Sequence, residues 1–210
     1  IDFATILYQK GLYKQSLKVL DKAKNIAYKY DEKTSAYEIV EFEKLIESLY
    51  VTRSLSNRTN ELVSQTNHLK EQNDINSSLS NISLQLYEKL IKAGYAKSDI
   101  ESNEIQNFFS QKIQNFKVES LGFREKLIYF QIWVWYSLLV QDFLSSYKYA
   151  SKWIDTFNKN PEMIKIHPVF YLKGYNFLLE ALALIKHPTE FKNRLSDLIN
   201  SVESSSFPIN

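Results

Sequence analysis

A pattern of small, aromatic and apolar residues near the start of the chain returns in degraded form 130 positions later. The first copy comprises Tyr8, Gly11, Tyr13, Ser16, Leu17, Leu20 and Ala23. The second comprises Leu138, Gln141, Phe143, Ser146, Tyr147, Ala150 and Trp153. A small turn residue, an aromatic residue two places on and small residues at helical spacing describe one helix–turn–helix unit. Repetition of such a unit indicates a stacked helical array, so this pattern constrains the fold more than any other feature.

The scarcity of helix-breaking residues favours an all-α chain. Only four Gly and four Pro occur among 210 residues, whereas a β-sandwich needs a turn signal about every 8–12 residues. An apolar content of 44% is sufficient for a hydrophobic core. Helical periodicity predicts about nine helices, at 2–10, 13–30, 35–51, 57–93, 98–116, 123–140, 143–157, 168–185 and 189–203.

These helices predict a single helical-repeat domain over 1–204, followed by a tail at 205–210. Within the domain, 1–51 is a repeat-like hairpin plus a helix, 52–97 contains a long polar connecting helix, and 98–204 holds C-terminal helical repeats. The apolar stripe of the connecting helix is thin. We favour a solvated strut for it, and the alternative is a coiled-coil seam that pairs two copies as a homodimer.

Charge, apolar runs and cysteine content exclude several classes of protein. The 26 basic and 24 acidic residues nearly balance, to a net charge of +2, so no electrostatic footprint for nucleic acid is present. No stretch approaches the roughly 18 apolar residues of a membrane span. The absence of cysteine excludes disulfides and thiolate metal sites. It fits a reducing compartment, and we expect a cytoplasmic protein.

Two further features concern the origin of the chain. Heavy use of Asn, Lys, Ile and Tyr is typical of an AT-rich bacterial genome. The chain begins at Ile1 rather than at a methionine, and we expect residues to precede it.

The first copy of the pattern resembles a tetratricopeptide repeat. In that family a small residue ends a tight turn, an aromatic residue follows, and small residues let the second helix pack closely. Those places are taken here by Gly11, Tyr13, Ser16, Leu20 and Ala23, with Ala4 on the preceding helix. Roughly half of the chain is covered, including a weaker echo around Tyr175 and Phe191. The departures are Gln141 for the turn glycine, Trp153 for a small residue, and a segment at 52–120 that matches no repeat.

The resemblance implies a right-handed array of antiparallel helical hairpins, an α-solenoid, whose concave groove holds peptides or protein segments. We therefore expect a non-catalytic scaffold with a protein or peptide ligand. The alternative is a regulatory module that senses a peptide and controls an effector segment outside this chain. An all-α enzyme with scattered catalytic groups is a third and less favoured interpretation. A groove lined by Asn, Lys and Arg would favour an extended ligand, and an apolar groove would favour a helix.

Patterns that would carry catalysis or metal binding are not found in the sequence. None of His68, His167 and His187 has a second histidine or a carboxylate at metal-ligand spacing. The four glycines are isolated, so there is no phosphate-binding loop, and no G-x-S-x-G motif occurs. Glu43 and Glu47 are interpreted as neighbours on a solvated helix face. We therefore assign no catalytic, cofactor-binding or metal-binding residues.

The segment 123–140 is apolar around most of its circumference and carries a dense group of aromatic residues. Such a helix must bury its second side as well, against a neighbouring helix, in a groove or against another subunit. The first interpretation is an internal helix of the stack. The second is a partner-binding surface, for which Tyr129 and Trp135 are the candidate residues.

Overall fold

The computed structural model describes residues 1–49 and 56–204. Within these residues it contains ten α-helices, one short 3-10 helix and no strand, which confirms the all-α prediction. The α-helices are α1 (Asp2–Gln9), α2 (Tyr13–Lys29), α3 (Lys33–Leu49), α4 (Ser56–Ala93), α5 (Asp99–Ile113), α6 (Phe123–Leu139), α7 (Phe143–Asn158), α8 (Glu162–Ile166), α9 (Pro168–Leu184) and α10 (Pro188–Ser204). The 3-10 helix is Val118–Ser120.

The sequence prediction differs from this list mainly in α8, which was expected to be a loop. Five residues form only a little more than one turn, too few for an apolar period to show. The predicted helix starts at Ser98 and Pro168 hold, since Ser98 caps α5 and Pro168 opens α9. The predicted boundary between 51 and 52 and the predicted tail at 205–210 lie outside the described residues.

Contacts between residues divide the chain into two compact units. Unit 1 is Ile1–Ser77 and unit 2 is Ser78–Asn210. The long helix α4 contributes residues 56–77 to unit 1 and residues 78–93 to unit 2. Each unit has its own set of sequential helices that pack together.

Four pairs of sequential helices, α1–α2, α2–α3, α6–α7 and α9–α10, are joined by the same three-residue turn. The middle residue of each turn has a positive φ: 73° at Gly11, 57° at Asp31, 59° at Gln141 and 56° at Lys186. The next N–H bonds back to the carbonyl five residues earlier, as Leu12 does to Leu7, with all four distances between 2.8 and 3.0 Å. This Schellman arrangement satisfies carbonyl groups that a helix end leaves unpaired. Gln141, which stands where the first copy of the pattern has Gly11, therefore forms the same turn.

In unit 1, small residues bring α1 and α2 together. Ser16 is fully buried, and its hydroxyl donates to the carbonyl oxygen of Ala4 at 2.8 Å. Leu20 and Ile46 are fully buried in the same core, to which α4 adds Leu69. The Ser16 hydroxyl gives the Ala4 carbonyl the hydrogen bond that water would otherwise provide. The side chain is small, so the two helices can still pack closely.

A buried charge network crosses unit 1 and corrects one sequence prediction. Glu43, expected on a solvated face, is fully buried. The ammonium of Lys24, itself buried, donates to Glu43 Oε2 at 2.6 Å. Arg58 of α4 reaches the same oxygen at 3.3 Å and Glu47 at 3.9 Å. The burial of Glu43 could not be predicted from the sequence, because it depends on a contact between Lys24 of α2 and Glu43 of α3.

In unit 2, α6 occupies the central position predicted for it. Leu127, Ile132, Val134 and Leu139 are fully buried. Helix α6 packs against α5, α7 and α9, while α7 packs against α9 and α9 against α10. Even a polar residue of α6 faces inward, since the buried side chain of Gln131 donates to Ser83 Oγ of α4 at 2.8 Å.

Replacement of Gly11 by alanine tests the turn. A Cβ at Gly11 meets no atom within 4 Å, so only the positive φ opposes the change, and Gly11→Ala should lower the free energy of unfolding by about 1 kcal/mol. The matched change Lys186→Gly should raise it by up to about 1 kcal/mol, because glycine adopts a positive φ without strain. Urea denaturation followed by circular dichroism measures both, and shifts in the same direction would contradict this account.

Removal of one charge from the buried network should be more damaging than removal of both. Lys24→Met leaves the Glu43 carboxylate with only the half-exposed Arg58 and should cost about 3 kcal/mol of unfolding free energy. The double variant Lys24→Met, Glu43→Leu removes the buried charges together and should recover most of that loss. Thermal and urea denaturation of the two variants decide the matter, and equal loss in both would refute the argument.

Candidate functional site

The repeat-defining residues of the second copy lie between α7 and its neighbours. Ser146, Ala150 and Trp153 are buried, with exposures of 1%, 0% and 0%, and Phe143 is half-buried. Ser146 occupies the place of Ser16, yet its hydroxyl has no hydrogen-bond partner among the described residues. The small positions of the pattern are thus packing positions in both copies.

Trp153, which stands where a repeat has a small residue, is accommodated by a glycine on α9. A Cβ at Gly174 would lie 3.0 Å from two atoms of the Trp153 ring and 2.9 Å from Ile154 Cδ1. The bulk of the indole is therefore matched by missing bulk on the facing helix. Two departures from a regular repeat, a large residue on α7 and a glycine inside α9, compensate each other.

The two candidate partner-binding residues, Tyr129 and Trp135, differ in their exposure. Trp135 is buried, with 5% of its surface exposed. Its ring contacts Tyr87 and Phe177, at centroid distances of 5.0 and 6.3 Å, and the Lys173 ammonium lies 4.9 Å from the ring centroid. Burial lowers the pKa of Lys173. Trp135 is thus a packing residue in unit 2, because α4 and α9 cover it.

Tyr129 is half-buried and belongs to a cluster of aromatic residues on α6 and α7. The cluster consists of Tyr129, Trp133 and Tyr149, and we name it the aromatic surface. Trp133 stacks on Tyr149 with centroids 4.5 Å apart, and Tyr129 lies 6.4 Å from Trp133. The ammonium groups of Lys148 and Lys152 lie 5.6 and 5.5 Å from the Tyr149 centroid. Burial, reinforced by Tyr129 and Asp142, raises the pKa of Tyr149.

A groove of about 540 Å³ lies beside the aromatic surface, between the 3-10 segment, α6 and α7; we name it the α6–α7 groove. Its apolar lining includes Leu121, Phe123 and Phe130. Its charged lining is Glu119, Lys126, Lys152, Asp155 and Lys159. Two residues of the groove lining contact the aromatic surface: Phe130 lies 5.8 Å from Tyr129 between ring centroids, and the Lys152 ammonium lies 5.5 Å from the Tyr149 centroid. The two features form one continuous face of unit 2.

A second groove of about 590 Å³ lies between α4 and α5. Its lining carries four exposed amide side chains, Asn81, Gln85, Gln111 and Asn115. Ile82 and Phe116 add apolar surface. Amides both donate and accept, and Lys112 adds a positive charge to the lining.

The histidines occupy separate local environments. His68 is hydrogen-bonded to Gln72 at 2.9 Å, His167 stacks on Phe123 with centroids 5.8 Å apart, and His187 Nδ1 accepts from the Glu190 N–H at 3.4 Å. In the described part of the chain, no three His, Asp or Glu side chains are grouped closely enough to hold a metal ion.

None of the helices in the described ranges combines the length and the apolar character that a bilayer crossing requires.

Comparison of the chain with protein-family models, with curated proteins and with solved structures finds no match. Its function is therefore inferred from the geometry of its own residues.

Tyr129 was singled out from the sequence, whereas the groove beside it was not predicted. The lysines come from two helices, and only their packing brings Lys126 of α6 next to Lys152 of α7. One signal was available: Lys152, Asp155 and Lys159 recur at helical spacing opposite the buried stripe of α7. No sequence pattern indicated the apolar floor of the groove, because Phe130 resembles an ordinary core residue.

The Trp153–Gly174 pairing predicts a sign reversal. Gly174→Ala should lower the free energy of unfolding by about 1–3 kcal/mol through overpacking, although alanine is the better helix former. Trp153→Ala alone should cost about 3–5 kcal/mol. In that background Gly174→Ala should be neutral or stabilising, because the ring is gone and Ile154 Cδ1, the far end of a flexible side chain, can move into the space that it leaves. A double-mutant cycle in urea measures the coupling, and additive effects would show that the two residues are independent.

Proposed function

We propose that this chain is a divergent tetratricopeptide-like helical-repeat scaffold that binds a peptide or a protein segment without catalysis. Two features support the repeat assignment: the four Schellman turns of one geometry and the small residues that pack behind two of them. In this proposal the hairpins form a right-handed array. The binding face is the α6–α7 groove together with the aromatic surface.

The observation that carries the proposal is the composition of this face. It combines apolar and aromatic carbon, from Phe123, Phe130 and Tyr129, with lysines that make no ion pair with a described acidic residue. Aromatic residues supply much of the binding energy at protein interfaces, while polar residues at the rim provide orientation. Tyr129 is well suited to the first role, because a half-buried tyrosine combines a large rigid ring with a polar hydroxyl.

The lining is poorly suited to acid–base chemistry. It contains no described histidine, and its side chains that titrate are carboxylates and lysines on an open surface. Recognition of a ligand needs only the charges and the apolar carbon that the lining carries.

Selection from a random peptide library displayed on phage tests the proposal. Peptides enriched on the protein should share a motif, and Tyr129→Ala should weaken their binding at least tenfold, because an aromatic anchor is lost. Tyr28→Ala, which truncates an exposed tyrosine in unit 1, is the matched control and should leave affinity unchanged. Isothermal titration calorimetry measures both.

Two results would count against the proposal. One is a selection that yields no shared motif. The other is a motif whose binding is equally insensitive to Tyr129→Ala and Tyr28→Ala, since the ligand would then occupy another face.

A further inference from the structure

We infer that the α6–α7 groove binds an extended acidic peptide that has two carboxylates three positions apart and apolar side chains between them. This inference rests on the proposed function and specifies the ligand class of the same groove. Its basis is the juxtaposition of three lysines with an apolar floor formed by Leu121, Phe123 and Phe130.

The groove lysines are available to a ligand. Lys152 and Lys159 are exposed and Lys126 is half-buried. Within the described ranges, none of the three lies within ion-pair distance of an acidic side chain. A carboxylate that enters the groove therefore gains charge-assisted hydrogen bonds without displacing an internal ion pair, and the internal contact of Lys152 is with the Tyr149 ring.

The spacing of the lysines selects the spacing of the ligand's charges. Lys152 and Lys159 are seven residues apart on one face of α7, or about 10 Å along the helix axis. A peptide in the polyproline II conformation has three residues per turn and rises about 3.1 Å per residue. Its residues i and i+3 thus point to the same side about 9 Å apart, which matches the two lysines.

The two acidic residues of the groove favour a peptide over a nucleic acid. Asp155 of α7 lies between Lys152 and the C-cap residue Lys159 in sequence, and Glu119 of the 3-10 helix also lines the groove. A phosphodiester backbone carries a charge at every position and would place phosphate beside Asp155, where like charges repel. A peptide can place an uncharged residue there instead. The net charge of +2 also offers little attraction to a polyanion.

The floor of the groove accounts for the apolar residues between the two acids. Phe130 is only 6% exposed and Phe123 is half-buried, so both present a limited apolar surface at the base. A leucine or proline side chain placed over them removes apolar surface from water. Proline at this position also fixes the extended conformation before binding, which reduces the entropy lost on ordering.

A synthetic peptide array tests the ligand class directly. Twelve-residue peptides carry two glutamates separated by zero to five residues, with leucine and proline in the intervening positions and glycine and serine outside. Binding of the fluorescently labelled protein should peak at two intervening residues. Replacement of both glutamates by glutamine in the best peptide should weaken binding at least tenfold in solution, as measured by fluorescence anisotropy.

Charge reversal on the protein assigns that binding to the groove. Lys152→Glu and Lys159→Glu should each weaken the best peptide at least tenfold, and binding should fall when sodium chloride rises from 0.05 to 0.5 M. Lys192→Glu, an exposed lysine of α10 outside the groove, is the matched control and should have no effect. A peptide in which one glutamate is replaced by lysine should bind Lys152→Glu better than it binds the parent protein.

The outcomes separate this inference from the proposed function. If glutamine peptides bind as well as glutamate peptides, or if a twelve-nucleotide oligo-dT binds more tightly than any peptide, the inference is wrong. If phage-selected peptides need Tyr129 but ignore Lys152→Glu, the proposed function stands and the acidic ligand does not. If neither the array nor the phage selection yields a binder, both fail.

Discussion

The need to satisfy the last carbonyl groups of each helix shapes this molecule. A helix end leaves four carbonyls without an internal partner, and a chain that reverses within three residues has little room to bring water to them. The turn used here pairs two of those carbonyls with amides of the turn itself, at the cost of one residue with a positive φ. Because the turn geometry is fixed, the next helix begins at a fixed distance and angle from the last. The packing of Ser16 on Ala4, across the turn between α1 and α2, depends on that placement.

A common turn geometry does not require a common residue. Glycine adopts a positive φ freely, yet Asp31, Gln141 and Lys186 adopt nearly the same value. Strain of this kind costs about 1–2 kcal/mol per residue, which is small beside the burial of a helix face such as that of α6. The turn geometry is therefore the same at positions whose residues differ, and a search for glycine alone would find one of the four turns.

The parts of the fold that were predictable from sequence are those with local causes. Helical periodicity, the Ser98 cap and the prolines at helix starts act within a few residues, and the predicted helices agree with the structure apart from the short α8. The parts that were missed depend on contacts between helices. Glu43 looks like a surface residue until Lys24 is placed against it, and Trp135 looks accessible until Tyr87 and Phe177 cover it. The same limit hid the α6–α7 groove, since only the packing of α6 on α7 brings Lys126 into one groove with Lys152 and Lys159.

Charged residues of this chain fall into two groups that differ in what surrounds them. Taking Lys24 and Glu43 out of water carries a desolvation cost of several kcal/mol per ion, so each must be compensated by the other and by Arg58. The lysines of the α6–α7 groove keep contact with water, and leaving them without a carboxylate partner carries no comparable cost. Their charge is then free to act on a ligand, whose arrival would remove water from the apolar floor and strengthen each ion pair. Stability and recognition thus depend on different residues, and substitutions in the groove can alter binding while the fold is retained.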